Sequence, residues 1–298
     1  MTETKALPSV HVLFTMNCLP AGSHLAPDGP ANWIQSARSI DGFCGTLRSA
    51  GFPVTLFLTP QAAAEHAPML EDFAPLGTEL ALLVHPPSLP RGKRTNFLGQ
   101  YPADAQRQLV DVAARAFEDA TGVQPRSIRS AMFSASDQTY PLLYELGFRQ
   151  SSLSNPGRRV NKYGADWVGA EADAHHVSAD SRLREGSIPL LELPVTTDAS
   201  QGHAGIAPDL AVENGTLDEW HRPLIEGQLA RLERESVQFR ALCFYTSSRR
   251  SYFARGESIT QTLETLVEYV QALREHYTVV PATLAAAHAA FRQAPARA

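Results

Sequence analysis

Four side chains in this 298-residue chain stand where a fold can use them for chemistry. Asn17 and Cys18 end an apolar run over residues 10–14 that reads as a buried strand feeding a loop with Pro20. His85 ends a second such run, over 77–84, and Arg129 lies inside a third stretch, over 125–134. A strand-end thiol can ligate zinc or, once ionised, attack a carbon. A carboxamide has no useful proton affinity near neutral pH, so Asn17 cannot act as a general base, although it can orient a carbonyl or a water. His85 alone offers one nitrogen ligand. Two adjacent histidines, His175 and His176, and a third, His203, are further imidazoles in polar stretches that can reach such a site. A buried guanidinium needs a partner because unpaired charge is costly. Asp137, Glu192 or an anionic ligand can serve Arg129, and a structural pairing with Glu192 is the favoured expectation. Tyr245 ends the apolar run over 241–245 and can donate a hydrogen bond, but with a pKa of about 10 it is a sluggish acid.

These residues need elements to hold them. The spacing predicts a helix over 32–50 that buries Trp33, Ile34, Ala37, Ile40 and Leu47, with Asp41-Gly42 weakening its middle and Gly51 closing it. A strand over 54–58 precedes a helix over 61–73 that starts at Pro60. The clearest helix covers 103–120, with Leu109, Val112, Ala113, Ala116, Phe117 and Ala120 on one stripe and Gly122 at its end. A helix over 137–146 and a strand over 148–152 follow. Residues 158–187 and 198–216 read as long loops, separated by a strand over 190–195. Helices over 217–235 and from 258 onward, strands over 241–245 and 277–280, and a final helix from Thr283 complete the chain. Strands alternating with helices imply parallel pairing.

Length and composition suit one large domain, over 8–292, with a disordered tail at 293–298. Hydrophobic residues make up 44% and charged residues 19%, which is ordinary for a soluble enzyme-like fold. The net charge of −5, without a basic run, argues against nucleic acid or an anionic membrane as partner. The first five residues lead into no apolar stretch, and no run of about 18 apolar residues occurs, so the expected location is cytoplasmic. Cys18, Cys44 and Cys243 fit reduced thiols rather than a disulfide framework, with Cys44 and Cys243 read as core packing.

Thr15-Met16-Asn17-Cys18-Leu19-Pro20 stands in the register of the T-F-D-D-G-P motif of polysaccharide deacetylases, carbohydrate esterase family four. The sequence resembles that family in four later places. Residues 54–58 are similar to its second strand, A-T-F-F, and 77–85 to its third-strand stretch. Residues 125–134 resemble P-x-x-F-R-x-[GP], and 190–195 its fourth motif. The resemblance spans about residues 10–280. It implies an α/β fold, a distorted (β/α) barrel of seven or eight strands.

In that family one Asp and the two histidines of H-[ST]-x-x-H hold a divalent ion. The ion polarises the amide carbonyl, a carboxylate takes a proton from water, and an acid protonates the leaving amine. Carried over by register, Asn17 occupies the base position and Cys18 a ligand position. His85 is the first histidine, and Leu89 stands at the second; an H-x-H variant would need a histidine at Leu83. Arg129 matches the arginine that orients the catalytic Asp, and Tyr245 or Thr246 replaces the acid. The expected catalytic set is Asn17, Cys18, His85, Arg129 and Tyr245, with Ser88, Phe133, Glu192 and Thr246 binding substrate. The implied metal site is degenerate, and no metal ligand is assigned. A divalent cofactor such as zinc enters only if the loop histidines complete the site. The expected function is binding of a carbohydrate or small amide at the barrel mouth without ordinary metal-dependent N-deacetylation. The alternative is an active hydrolase of non-peptide C–N bonds with remodelled, metal-independent chemistry.

Overall fold

The computed structural model describes residues 7–294, apart from 25, 27, 90–94, 202–205, 254–255 and 257. The tail expected at 293–298 lies outside the described residues from 295 onward, as does His203.

The sheet grows around its first strand, β1 (Ser9–Cys18). This strand is buried on both sides, as parallel strands covered on both faces are. Successive side chains point to opposite faces. Phe14 packs on Phe52 and Phe244 in the layer beneath the helices, while Thr15 and Asn17 face inward to Arg129. Beyond β1 come β2 (Val54–Leu58), β3 (Glu79–Val84), β4 (Ser127–Ser130) and β5 (Gln150–Ser151). A small antiparallel pair, β6 (Arg159–Val160) and β7 (Ala165–Asp166), stands apart from the sheet. Then follow β8 (His175–Val177), β9 (Ile188–Glu192), β10 (Ala241–Ser247) and β11 (Thr278–Pro281).

The strand order is β10-β1-β2-β3-β4-β5-β9-β8, with β11 paired to the first half of β1. All pairs on this path are parallel except β9 with β8. Among the described residues, eight parallel strands, the seven from β10 to β9 on this path and β11, therefore carry the curled sheet, as the α/β barrel reading expects. The sheet does not close through a regular ladder. Near the mouth, Thr196 N–H donates to the Cys243 carbonyl at 3.2 Å and Cys243 N–H donates to the Thr196 hydroxyl at 2.9 Å. Residues 210–212 then run beside Tyr245 and fill the remaining gap.

Helices α1 (Trp33–Ser49), α2 (Pro60–Glu65), α3 (Ala67–Phe73), α4 (Ala103–Thr121), α5 (Thr139–Glu145), α6 (Arg222–Arg234) and α7 (Ser258–Ala272) connect these strands. The last helix, α8 (Leu284–Phe291), seals the opposite end of the barrel. Its first turn donates Leu284 N–H to the Thr55 hydroxyl and Ala285 N–H to the Glu79 carboxylate, each at 3.0 Å.

Several expectations need correction. The helix expected over 61–73 is two helices, because Pro68 cannot supply an amide to a continuing turn and His66 leaves the helical region at φ −100° and ψ 10°. Ile34 is 73% exposed, so the buried face of α1 consists of Ser36, Ser39, Ile40, Phe43, Cys44 and Leu47 instead. His175 and His176 lie on β8, not on a free loop, where His175 pairs with Glu192 in register.

Candidate functional site

Parallel strands in a barrel present their C-terminal ends on one face, and loops there carry ligand-binding side chains. Asn17 near the end of β1, His85 just after β3 and Arg129 within β4 converge on that face. Tyr245 of β10 joins them from the side of the seam.

Arg129 is the centre of the arrangement and is fully buried. Its Nη1 donates to Thr15 Oγ1 at 3.0 Å and to Asn17 Oδ1 at 3.1 Å. Its Nε and Nη2 donate to the Ser152 carbonyl at 2.9 Å and the Ser152 hydroxyl at 2.7 Å. The guanidinium lies over the Phe57 ring, 4.1 Å from its centroid. Burial pulls its pKa down to about 10, against the opposing pull of the thiol of Cys243 and the carboxyl of Glu192, so it stays charged at neutral pH. Because guanidinium can only donate, the Asn17 oxygen faces Arg129, and the Asn17 NH2 turns the other way.

The pairing expected between Arg129 and Glu192 does not form. The Glu192 carboxylate accepts from the Ser151 hydroxyl at 2.5 Å and from the amides of Leu153 and Ser154 at 2.8 and 2.7 Å. Burial raises its pKa, and those donors oppose the rise. Asp137 is taken as well, by Arg182 at 2.9 Å.

Phe133 closes the other side. Its ring meets Tyr245 edge to face at 5.3 Å and lies 5.6 Å from the Arg129 guanidinium. Met132 and Phe133 both hold positive φ, 59° and 58°, a conformation that costs side-chain-bearing residues energy. Trp167 Nε1 pins this turn by donating to the Phe133 carbonyl at 2.7 Å. The Tyr245 hydroxyl donates to Asp209 Oδ2 at 2.6 Å. Asp209 also accepts from Asn155 at 3.1 Å and Asn214 at 2.7 Å. Burial pushes the Tyr245 pKa well up, with Asp209 adding to the rise, so its proton is held rather than released.

Beside His85 opens a cavity of about 240 Å³ with Phe97, Met132, Lys162 and Tyr163 also in its walls, while Arg129 and Asn17 do not line it. His85 is 2% exposed, and burial lowers its pKa to about 4, so the imidazole is neutral at physiological pH. Its ring meets Phe97 edge to face at 5.8 Å.

The remaining expected site residues lie elsewhere. Cys18 is sealed in the apolar core on the opposite strand face from Asn17, and burial raises its thiol pKa well above the ordinary value, which makes it a poor nucleophile. Ser88 is used locally, its hydroxyl donating to the His85 carbonyl at 3.0 Å. Thr246 alternates away from Tyr245 and bonds Glu213 at 2.8 Å and Tyr252 at 2.6 Å. Glu192 and Thr246 are at most 1% exposed, so a ligand at the mouth does not reach them. His175 is buried on β8, its Nδ1 at 2.8 Å from the Asp173 carbonyl, and both His175 and His176 line a different cavity beside Phe239 and Phe291. The sequence reading missed Asp209, Phe97, Lys162 and Tyr163. All four sit in irregular segments, where no hydrophobic period marks inward-facing positions. Aromatic residues within polar loops are the one signal that points to Phe97 and Tyr163.

The donor set does not fit a divalent ion. The Asn17 oxygen is already held by a cation, the Cys18 thiol faces the core, and Leu89 offers only alkyl carbon. Among the described residues, no group of three or more His, Cys, Asp or Glu side chains is placed to hold a metal. Structural zinc wants about four protein ligands, and catalytic zinc about three plus water.

No family model matches the sequence, and no curated protein does. The backbone matches solved structures along almost its whole length. A Mycobacterium smegmatis protein described as a polysaccharide deacetylase superposes with a TM-score of 0.62 at 18% identity, over 98% of this chain and 93% of its own. The chain has the polysaccharide-deacetylase fold. A Parabacteroides distasonis protein described as a glycoside hydrolase or deacetylase shares this fold at TM-score 0.69 and 14% identity, over 97% of this chain and 72% of its own. So does the allantoinase Puue, at TM-score 0.62 and 13% identity, over 95% and 90%. At these identities the deacetylase fold is conserved as backbone, and the chemistry must be argued from the side chains themselves.

Proposed function

We propose that this protein uses the mouth of a deacetylase-type barrel to bind a carbohydrate, without metal-dependent N-deacetylation. One observation carries the reading. Where that reaction needs a free carboxylate base beside a dication, this chain has a carboxamide whose oxygen is bound by the buried cation Arg129 at 3.1 Å. The ligand class, though not the reaction, follows the named activities of the structural neighbours. The cavity supports it: Phe97 and Tyr163 meet edge to face at 5.0 Å and offer apolar ring surface for the C–H face of a sugar. At about 240 Å³ the cavity suits one ring rather than a polymer segment.

The test is calorimetric titration with mono- and oligosaccharides, run beside an acetate-release assay on N-acetylated sugars with and without added zinc, cobalt or nickel. Sugar binding without acetate release is the expected result. Acetate release that a chelator abolishes would overturn the proposal.

A second reading, hydrolysis of a small amide without a metal, is favoured by one observation. His85 is a neutral imidazole in the wall of a cavity of small-molecule size, and the same fold houses an allantoinase. Chelator-insensitive turnover of small cyclic amides, lost in His85→Asn, would move the function to this reading.

A further inference from the structure

Among the described residues, the walls of the mouth cavity hold one carboxylate, Asp28, and one ammonium, Lys162, and only the carboxylate has an ionic partner. Asp28 is already engaged by Arg249 at 3.3 Å. Lys162 forms no ion pair among the described residues, and its Nζ stands 5.5 Å from the centroid of the Tyr163 ring. The positive charge therefore sits over the Tyr163 ring, which with Phe97 makes an aromatic wall. A ligand that lies flat on that wall places its ring substituents near the ammonium. The backbone fixes this juxtaposition locally: Lys162 and Tyr163 share one turn, residues 161–163, which Gly164 ends at φ 62° and Gln100 holds from across the mouth through the Lys162 carbonyl at 3.3 Å.

We infer that the barrel mouth is selective for a sugar ring bearing a carboxylate, a hexuronic acid, with Lys162 as the residue that reads the acid and Phe97 and Tyr163 as the surface that receives the ring. This rests on the carbohydrate reading above and goes beyond it, since that reading requires no charge on the sugar. An ammonium is a compact point charge with three donors, suited to a single carboxylate without bidentate geometry. Because Lys162 is exposed, the gain is that of a solvated ion pair, about fivefold in affinity, and it is screened by salt.

The experiment titrates glucuronate, glucose, glucosamine and benzoate into the full chain and into Lys162→Gln, at low salt and at about 1 M salt, where the screening length is about 3 Å. Expected is glucuronate binding about fivefold tighter than glucose at low salt. That advantage should be lost in Lys162→Gln and at high salt, where glucuronate and glucose should bind alike. Circular dichroism confirms that the exposed substitution leaves the fold intact. Equal affinities for glucuronate and glucose, or a preference for glucosamine, would overturn the inference while leaving the carbohydrate reading standing. Benzoate binding as tightly as glucuronate would overturn it by assigning the mouth to acids in general. No binding of any sugar would remove both.

Discussion

Arg129 is charged, fully buried and hydrogen-bonded to the neutral acceptors of Thr15, Asn17 and Ser152. A carboxylate at position 17 would put a full negative charge at a point now occupied by an amide oxygen. Asn17→Asp should therefore stabilise the fold by about 1–3 kcal/mol at pH 7, the scale of a hydrogen bond to a charged group. Its carboxyl pKa would fall below the ordinary value beside the guanidinium. The added stability is then present above the unfolded pKa of about 3.9 and is lost as pH falls through the lower folded value. Urea unfolding of the two proteins at pH 7 and pH 2 checks both halves, and equal midpoints at pH 7 would show that Arg129 does not sense the charge. The substitution should not produce acetate release, because Cys18 and Leu89 still supply no ligand at the mouth. Asn17 and His85 were legible as mouth residues because each ends an apolar run. The partner of Arg129 was not, since Glu192 is claimed by Ser151, Leu153 and Ser154, a contact set between strands about forty positions apart in sequence.

At the scale of the element, α1 shows how a local rule meets its packing reason. Gly42 lowers the helix propensity of the centre of α1, and by propensity alone Gly42→Ala should gain about 1 kcal/mol. A Cβ there would stand 2.4 Å from the Tyr252 carbonyl oxygen and 2.8 Å from its carbon. Those are backbone atoms, and the same segment holds Tyr252 against Phe43 at 5.1 Å. Gly42→Ala should therefore destabilise by about 1–3 kcal/mol, as overpacking does. A thermal melt of the variant measures the sign directly, and a raised midpoint would show that the residues around Tyr252 yield freely. Elements with a long period or a sharp cap were readable: α4 ends at Gly122 with φ 68°, and α8 begins at Thr283, whose hydroxyl accepts from Ala286 N–H. The strand expected over 148–152 is present as the shorter β5, whereas β8 was not readable, because three residues carry no period and its pairing is set by β9. The Arg158 to Ser187 stretch, read as a loop, hides β8 and the Trp167 anchor for this reason.

At the scale of the molecule, alternation of strand and helix made the barrel readable, while its seam was not. Thr196 bridges β9 to β10 with both its amide and its hydroxyl, yet it lies outside any regular strand. Thr196→Val keeps the volume but leaves the Cys243 amide without its acceptor in a buried place. This should cost about 1–3 kcal/mol. Hydrogen exchange at Cys243 is the local readout, and unchanged protection there would show that the seam is held by residues 210–212 alone.

The same burial that closes the barrel sets its response to acid. Desolvation lowers the pKa of His85 to about 4 and also lowers those of His11, His66, His221 and His288. Between pH 6.5 and the folded pKa, each such histidine binds more protons when unfolded, so stability rises with pH across that window and falls as the solution is acidified. Glu192, raised by burial, acts with the opposite sign, since its carboxyl holds a proton more tightly when folded. For His85 alone the change from the ordinary 6.5 to about 4 amounts to about 3 kcal/mol, the upper bound of its contribution between neutral pH and pH 4. His85 is 2% exposed, so solvent does little to screen this. Replacing it with an uncharged residue of similar reach, His85→Gln, should remove that share of the acid sensitivity. Urea midpoints measured at half-unit steps from pH 7 to pH 4 should fall more steeply for the wild-type chain than for His85→Gln, with the two curves diverging below pH 6.5. Parallel curves would mean that His85 is solvated in solution and that the mouth cavity reaches deeper than its walls in this structure suggest.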